Sequence, residues 1–154
     1  MRAISLWQPW ASLWCAGVKQ HETRHWPTSY RGILLVHAAL RKPQLYERAP
    51  DPFTDIVARE FGSAWAKYLP YGAIVGAVRL VRCQPTDREG WANEEDRLCG
   101  NWEPGRFAWK AVNFALLESP IPCRGRQSFF DAPVASPAVI PEIEHWPITR
   151  PVLL

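Results

Sequence analysis

The sequence predicts an α+β domain built around a mostly antiparallel, barrel-like sheet with flanking helices. Short apolar and β-branched runs bounded by turn residues predict several strands, and two segments have the apolar spacing of helices. The chain also contains 15 Pro residues, which favour turns and edge segments over long helices. Its 154 residues are the length of one ordinary domain, so we expect residues 1–154 to form a single unit.

Two helices are predicted, at residues 5–17 and 52–69. In the first segment, Pro9 suits the first turn and Gly17 suits the left-handed position that ends a helix. In the second, apolar residues recur at steps of three and four, Asp51 can cap the start, and a proline follows the last turn. Both segments therefore have an apolar stripe that a sheet can cover.

Strands are predicted at residues 32–39, 72–83 and 106–117, each of which is an apolar or partly alternating run. The segment between the last two strands, residues 84–105, is long, polar and rich in turn residues. We expect it to contain a short helix, a functional site or both. The proline-rich C-terminal third is expected to run over the surface in extended pieces.

Composition and charge exclude several classes of protein. The net charge of +3 is compatible with a nucleic-acid partner but is too small to indicate one. No apolar run approaches the ~20 residues of a membrane-spanning helix, and the first residues lack the features of a signal peptide, so the expected compartment is the cytoplasm. The four cysteines never approach CxxC spacing, which predicts reduced thiols and neither a zinc ribbon nor a redox pair.

The sequence HETRH at residues 21–25 formally matches the HExxH pattern of zinc peptidases. That site needs a helix, but Gly17 ends the preceding helix and Pro27 forces the residue before it out of helical angles. In a strand, Glu22 and Arg24 project to one face and the two histidines to the other. The histidines would then lie about 13 Å apart at ~3.3 Å per residue. We therefore expect neither a metal site here nor a cofactor.

Five motifs follow one another along the chain: LWQPWASL at 6–13, GVKQHETRHW at 17–26, YRG followed by a strand ending in HA at 30–38, PGRFAW at 104–109 and PIPCRGRQSFF at 120–130. In this order they resemble the ASCH domain family, whose members adopt a PUA-like β-barrel. The last motif departs from the family pattern RGxxG followed by Trp, because Ser128 stands at the second glycine and Phe129 or Phe130 near the Trp position.

The resemblance implies a nucleic-acid partner, either single-stranded RNA or a modified nucleoside. Some family members are amidohydrolases that remove acyl groups from N4-acylated cytidine, and others act on single-stranded RNA. Lys19 matches the catalytic lysine of the amidohydrolases and Arg24 matches their arginine, whereas Glu22 stands at their threonine position with Thr23 next to it. A further acid could come from the polar segment, as one of Glu94, Glu95 or Asp96.

The candidate catalytic residues are therefore Lys19, Glu22 and Arg24. A lysine acts as a base only when its proton is labile, which burial beside a cation favours, but a lysine after a helix also commonly sits in solvent and complements the helix dipole. Glu22 and Arg24 can form an ion pair that shapes a pocket wall. They can also contact a nucleobase amino group and an oxyanion or phosphate.

Aromatic and basic residues around these groups are candidates for substrate binding, because bases stack on aromatic rings while cations follow the phosphate backbone. Most of the nine Trp residues are expected in the core, and His37 can equally be a structural histidine with satisfied hydrogen bonds. The candidates are Trp10, Trp26, Tyr30, Arg31, His37 and Arg106, with Trp7, Arg41, Lys42, Arg124 and Arg126 as further aromatic or phosphate contacts.

The leading hypothesis is a hydrolase that removes the acyl group from N4-acylated cytidine in a pocket between the first helix and the mouth of the barrel. Two alternatives use the same basic groove. One is a metal-independent ribonuclease acting on single-stranded RNA. The other is a non-catalytic RNA-binding module.

Overall fold

The computed structural model describes residues 1–42, 51–90 and 92–146, and within them six strands form one sheet in the order β2-β5-β4-β3-β1-β6. The strands are β1 (Arg2–Leu6), β2 (His21–Arg24), β3 (Gly32–Ala38), β4 (Ala73–Pro85), β5 (Phe107–Pro122) and β6 (Phe129–Asp131). Strands β1 and β3 pair in parallel, and every other pair is antiparallel. This arrangement confirms the predicted α+β, mostly antiparallel class.

The sheet curls into a half-barrel because its longest strands bend. Strands β4 and β5 have 13 and 16 residues, and the register between them shifts at three places, between Ile74 and Gly76, Val78 and Leu80, and Leu80 and Arg82. Such irregularities insert unpaired residues that bend a strand and increase its twist. The resulting curled sheet with short flanking helices is a PUA-like fold.

The described residues also contain four short α-helices and two single 3₁₀ turns. The α-helices are α1 (Trp10–Cys15), α2 (Pro52–Phe61), α3 (Trp65–Tyr68) and α4 (Glu94–Leu98), and the 3₁₀ turns are Thr86–Arg88 and Pro137–Val139. None of the helices in the described part of the chain is long and apolar enough to cross a membrane.

The predicted helix at residues 5–17 is wrong at its start. Residues 2–6 form strand β1 instead, and the helix occupies only Trp10–Cys15. The buried side chain of Gln8 organises the turn between them, accepting a hydrogen bond from the backbone N–H of Ser12 at 3.1 Å. Gly17 has a φ of +77°, which confirms the predicted left-handed end of the segment.

The predicted helix at residues 52–69 is divided into α2 and α3. Asp51 caps α2 as expected, with its carboxylate accepting from the backbone N–H of Thr54 at 2.9 Å. The helix ends at Gly62, whose φ of +85° no helix can contain. The apolar spacing still has its predicted effect, since Ile56, Val57 and Trp65 pack into one cluster with Leu13 of α1.

The three predicted strands are confirmed, and two of them continue further than expected, to Pro85 and Pro122. The polar segment 84–105 contains α4 and a 3₁₀ turn, as its length suggested. The single-domain prediction for residues 1–154 stays a prediction, because residues 43–50, 91 and 147–154 lie outside the described residues.

The core covers both faces of the sheet. On one face, Trp14 of α1 packs with Leu34, Val78 and Trp109, and on the other the sheet is covered by the C-terminal segment through Ile140, Ile143 and Trp146. All seven of these residues are at most 6% exposed. Helix α1 is therefore fixed against the sheet, and the chain that leaves it starts from a defined position.

We predict that Gly76→Ala destabilises the protein, because a Cβ at this position of β4 would lie 2.5 Å from Cys15 Sγ and would also meet the backbone oxygen of Ala115. Overpacking of this kind costs about 1–3 kcal/mol. Urea unfolding measures the loss, and Gly90→Ala is the control, since a Cβ there meets nothing within 4 Å. Equal unfolding midpoints for the two variants would contradict the packing of α1 on β4.

Candidate functional site

A cleft of about 660 Å³ lies between the start of α1, strand β2 and the segment that follows α4. This volume is within the range of small-molecule sites. We call it the first cleft. Its described lining residues include three aromatic side chains, Trp7, Trp10 and Phe53, and five charged ones, Lys19, Glu22, Arg24, Asp51 and Arg106.

A buried ion pair of Lys19 and Glu22 forms one wall of the first cleft. The ammonium donates a hydrogen bond to Glu22 Oε2, and the two residues are only 1% and 6% exposed. The lysine is placed by the end of α1, where its backbone N–H bonds to the carbonyl of Leu13 at 3.2 Å, and its Nζ lies 5.7 Å from the Trp14 ring centroid. Lys19 is therefore not a solvated residue at a helix end.

Arg24 lies on the same side of β2 as Glu22, as the alternation of side chains predicted. Its Nε is 3.7 Å from Glu22 Oε1, and its terminal nitrogen donates to the Ser5 carbonyl at 3.5 Å. The Nε is buried and has no hydrogen-bond partner among the described residues. The carboxylate of Glu22 therefore lies between the cations of Lys19 and Arg24. Among the described residues, Arg24 Nε is a donor without a hydrogen-bond partner.

The opposite face of β2 holds a second buried ionic group. His21 Nδ1 lies 2.5 Å from Asp96 Oδ2, and its Nε2 lies 3.5 Å from Glu89 Oε2. Arg82 in turn binds Glu89 through three contacts of 2.8 to 3.2 Å. The HETR residues therefore form a strand rather than a zinc-binding helix. Within residues 1–42, 51–90 and 92–146 no cluster of His, Cys, Asp or Glu has metal-binding geometry.

Asp96 connects helix α4 to strand β2. Burial alone raises the pKa of Asp96, but the hydrogen bond and charge of His21, together with the backbone N–H groups of His21 and Gln20, outweigh burial and lower the pKa below its ordinary value. Asp96 Oδ1 accepts from these two N–H groups at 3.2 and 2.8 Å. The carboxylate is therefore ionised in the folded protein and fixes the start of β2.

The acids of the polar segment do not join Lys19 in the first cleft. Asp96 binds His21, Glu95 pairs with Arg59 of α2, and Glu94 faces a separate shallow depression beside α2. Sequence reasoning left open whether one of them joins the site, because it could not show which face of β2 the segment covers. Glu22 and Asp51 are the carboxylates that line the cleft among the described residues.

Three of the six candidate binding residues lie at clefts. Trp10 and Arg106 line the first cleft, where the Trp10 ring stacks on Phe53 with centroids 5.1 Å apart and Arg106 donates to the Thr23 carbonyl at 3.0 Å. Trp26 lines an adjoining cleft and packs edge-on against Trp109 at 4.6 Å.

Tyr30, Arg31 and His37 line neither cleft, and each is bound by neighbouring protein groups. The Tyr30 hydroxyl donates to the carbonyl of Ile33, and the Arg31 guanidinium donates to the carbonyls of Thr28 and Tyr30. His37 Nδ1 lies 3.0 Å from Ser5 Oγ and its Nε2 3.0 Å from a backbone carbonyl. Burial lowers the pKa of His37, only partly offset by the carbonyl contact, so the structure matches the structural interpretation of this histidine.

Several lining residues of the first cleft were not singled out as site residues from the sequence, among them Asp51, Cys99 and Asn101. Burial raises the pKa of Cys99 to about 11, so its thiol stays protonated and is a poor nucleophile. Asn101 is tied to the strand by its backbone N–H, which donates to Thr23 Oγ1 at 3.0 Å. The sequence feature that pointed toward Cys99 and Asn101 was the polarity and turn content of residues 84–105.

A half-barrel with a polar cleft between its first helix and an edge strand defines a domain of the PUA-like class. The profile of the ASCH domain family matches residues 4–121, and the chain belongs to this family of PUA-like, RNA-binding domains. The chain is 35% identical over 80 residues to human Activating signal cointegrator 1 and 34% identical over 80 residues to the mouse protein. Each match covers 52% of this chain but only 14% of the relative.

We predict that Asp96→Asn destabilises the protein by about 3–5 kcal/mol at neutral pH, because it breaks a buried ionic pair. Glu94→Gln, an exposed change on the same helix, is the control and should have little effect. Since the pKa of Asp96 is lowered by folding, its stabilisation is complete above the unfolded value of about 3.9 and is lost as the pH falls through the folded value. Urea unfolding across this range should therefore show the two proteins converging in acid; a constant difference would contradict the assignment.

Proposed function

We propose that this protein is an amidohydrolase that removes the acyl group from N4-acylated cytidine. The observation that carries the proposal is the buried Lys19–Glu22 pair opening onto a cleft of about 660 Å³, with Arg24 beside it. Lys19 and Arg24 stand at the positions that match the family's amidohydrolases. Glu22 stands at their threonine position, and its contact with Lys19 gives this chain a carboxylate at the point where those enzymes have a hydroxyl.

The pair supplies both a proton acceptor and a proton donor. A water molecule that approaches the acyl carbon gives its proton to Glu22 as the C–O bond forms. When the C–N bond breaks, the Lys19 ammonium gives a proton to the departing N4 atom, and the products are cytidine and a carboxylic acid. The proton on Glu22 then moves to Lys19 through their shared hydrogen bond, which restores the starting state.

Arg24 stabilises the charge that develops on the acyl oxygen. Its side chain lines the first cleft and is 26% exposed, so the guanidinium can reach a bound acyl group while its buried Nε faces Glu22 Oε1 at 3.7 Å. A donor fixed in advance at an oxyanion typically contributes about 10²–10³ to the rate.

The aromatic residues of the first cleft hold the base. Trp7 and Trp10 bring two indole rings to the lining, and Trp10 is kept in place by the near-parallel ring of Phe53. Stacking of a base on such a ring is worth about 1–3 kcal/mol. The base is thereby oriented with its exocyclic nitrogen toward the ionic wall.

The second candidate function is a non-catalytic RNA-binding module. The names of the human and mouse relatives describe a signal cointegrator rather than an enzyme, and membership of an RNA-binding family accords with this role. In such a module Glu22 accepts a hydrogen bond from a base amino group, and Lys19 only neutralises the carboxylate. A ribonuclease, the remaining alternative, would cleave a labelled single strand without added metal.

We predict that the purified protein converts N4-acetylcytidine to cytidine and acetate, and that Lys19→Met and Glu22→Gln each lower kcat/KM by at least about 100-fold, as removal of a general acid or base does. Liquid chromatography measures the product. Lys67→Met, an exposed lysine on α3, is the matched control and should retain full activity.

Thermal unfolding of each variant establishes that the fold is intact, and Lys19→Met/Glu22→Leu removes both charges of the pair if a single variant fails to fold. Binding of cytidine without any turnover by the wild-type protein would overturn the proposal in favour of the binding module. Cleavage of an RNA strand with no release of acetate would overturn it in favour of the ribonuclease.

A further inference from the structure

Asp51 lines the first cleft with a carboxylate that the proposed reaction does not use. We propose that Asp51 is a specificity-determining residue, whose carboxylate accepts hydrogen bonds from the ribose hydroxyls of the substrate and repels a phosphate attached to that ribose. The site would then select a free ribonucleoside over a nucleotide. This inference rests on the proposed function.

The carboxylate of Asp51 is held in a fixed direction by the start of helix α2. Its Oδ1 accepts from the backbone N–H of Thr54 at 2.9 Å, and the backbone N–H of Asp51 donates to Thr54 Oγ1 at 3.0 Å. This is the reciprocal arrangement of a capping box. Among the described residues the second oxygen, Oδ2, accepts no hydrogen bond and no cation pairs with the carboxylate. One oxygen therefore orients the group while the other can accept from a ligand.

The position of Asp51 in the cleft matches the place of the ribose. Four of the five charged lining residues belong to residues 19–24 or, like Arg106, bind the backbone of β2, and Asp51 is the fifth. In the proposed reaction the N4 atom of the base faces the ionic wall formed by that segment. The ribose is attached to N1, which lies across the pyrimidine ring from the carbon that carries N4. The ribose is thereby directed away from β2 and toward the remaining charged residue.

The aromatic stack connects Asp51 with the base. Phe53, two residues after Asp51, stacks on Trp10 with the ring planes 16° apart, and all three residues line the cleft. A base that stacks on the Trp10 side of this pair therefore has its sugar within the part of the cleft that the start of α2 forms.

The charge of Asp51 distinguishes a hydroxyl from a phosphate. Ribose hydroxyls are neutral donors, whereas a phosphate monoester is anionic and offers mainly acceptor oxygens. The cations of the cleft are already engaged, since Lys19 pairs with Glu22 and the Arg106 guanidinium donates to backbone carbonyls at 3.0 and 3.1 Å. A phosphate near Asp51 would thus meet an unpaired negative charge.

The test compares kcat/KM for N4-acetylcytidine with kcat/KM for its 5′-monophosphate. We expect the wild-type protein to prefer the nucleoside by at least about tenfold, the effect of a close repulsion between like charges. Asp51→Asn removes the charge but keeps the helix cap, because Asn caps a helix as well as Asp does. This variant should lower the preference at least about tenfold, through a smaller KM for the nucleotide.

Asp55→Asn is the matched control. It removes the same charge from the first turn of the same helix, at an exposed position that does not line the first cleft, and should leave the preference unchanged. Asp51→Ser is a second variant that also keeps a cap, and it should behave like Asp51→Asn. An equal loss of preference in Asp55→Asn would show a general effect of helix charge and overturn the role of Asp51.

Calorimetric binding of cytidine and cytidine 5′-monophosphate separates this inference from the proposed function, because neither compound is hydrolysed. Tighter binding of cytidine, with the difference lost in Asp51→Asn, would support the role of Asp51 even in a protein that releases no acetate, which would refute the proposed reaction alone. Acetate release with the same preference in the wild-type protein and Asp51→Asn would refute the role of Asp51 alone. Failure to bind either compound would refute both.

Discussion

The alternation of side chains along one four-residue strand is the constraint on which the site depends. Within the described part of the chain strand β2 pairs with β5 alone, and its two faces carry two different buried ionic groups. His21 faces Asp96 and Glu89, whereas Glu22 faces Lys19 and approaches Arg24. A slip of one residue would exchange the two faces, so the helix that holds Asp96 also fixes which side of the strand meets the first cleft.

The burial of the Lys19–Glu22 ion pair accords better with a functional role at the first cleft than with a contribution to stability. Removing two charges from water is costly, and replacing a buried pair with apolar residues is often neutral or stabilising. The pair has a cleft on one side, and the neighbouring Arg24 has an unbonded donor among the described residues. Charged groups arranged in this way at a cleft are typical of functional sites. The fold thus bears an energetic cost at the place where the proposed reaction needs proton transfer.

Local sequence patterns predicted much of the fold and of the candidate site, and the predictions that failed did so for physical reasons. Apolar runs gave three strands, and the period of two placed Glu22 and Arg24 on one face. Strand β1 was missed because its five residues pair in parallel with β3, about thirty residues away, which no local periodicity reveals. The contact of His21 with Asp96 spans 75 residues and depends on how the polar segment folds back. The resemblance to ASCH domains pointed to Lys19 as the candidate catalytic lysine, which composition alone does not single out.

A crystal structure of the protein with cytidine, the product of the proposed reaction, tests the central claim most directly. We expect the cytosine ring in the first cleft, with its N4 amino group within hydrogen-bond distance of the Glu22 carboxylate and facing Lys19. Cytidine bound with N4 directed to solvent, or bound only in the adjoining cleft that Trp26 lines, would contradict the role assigned to the ion pair.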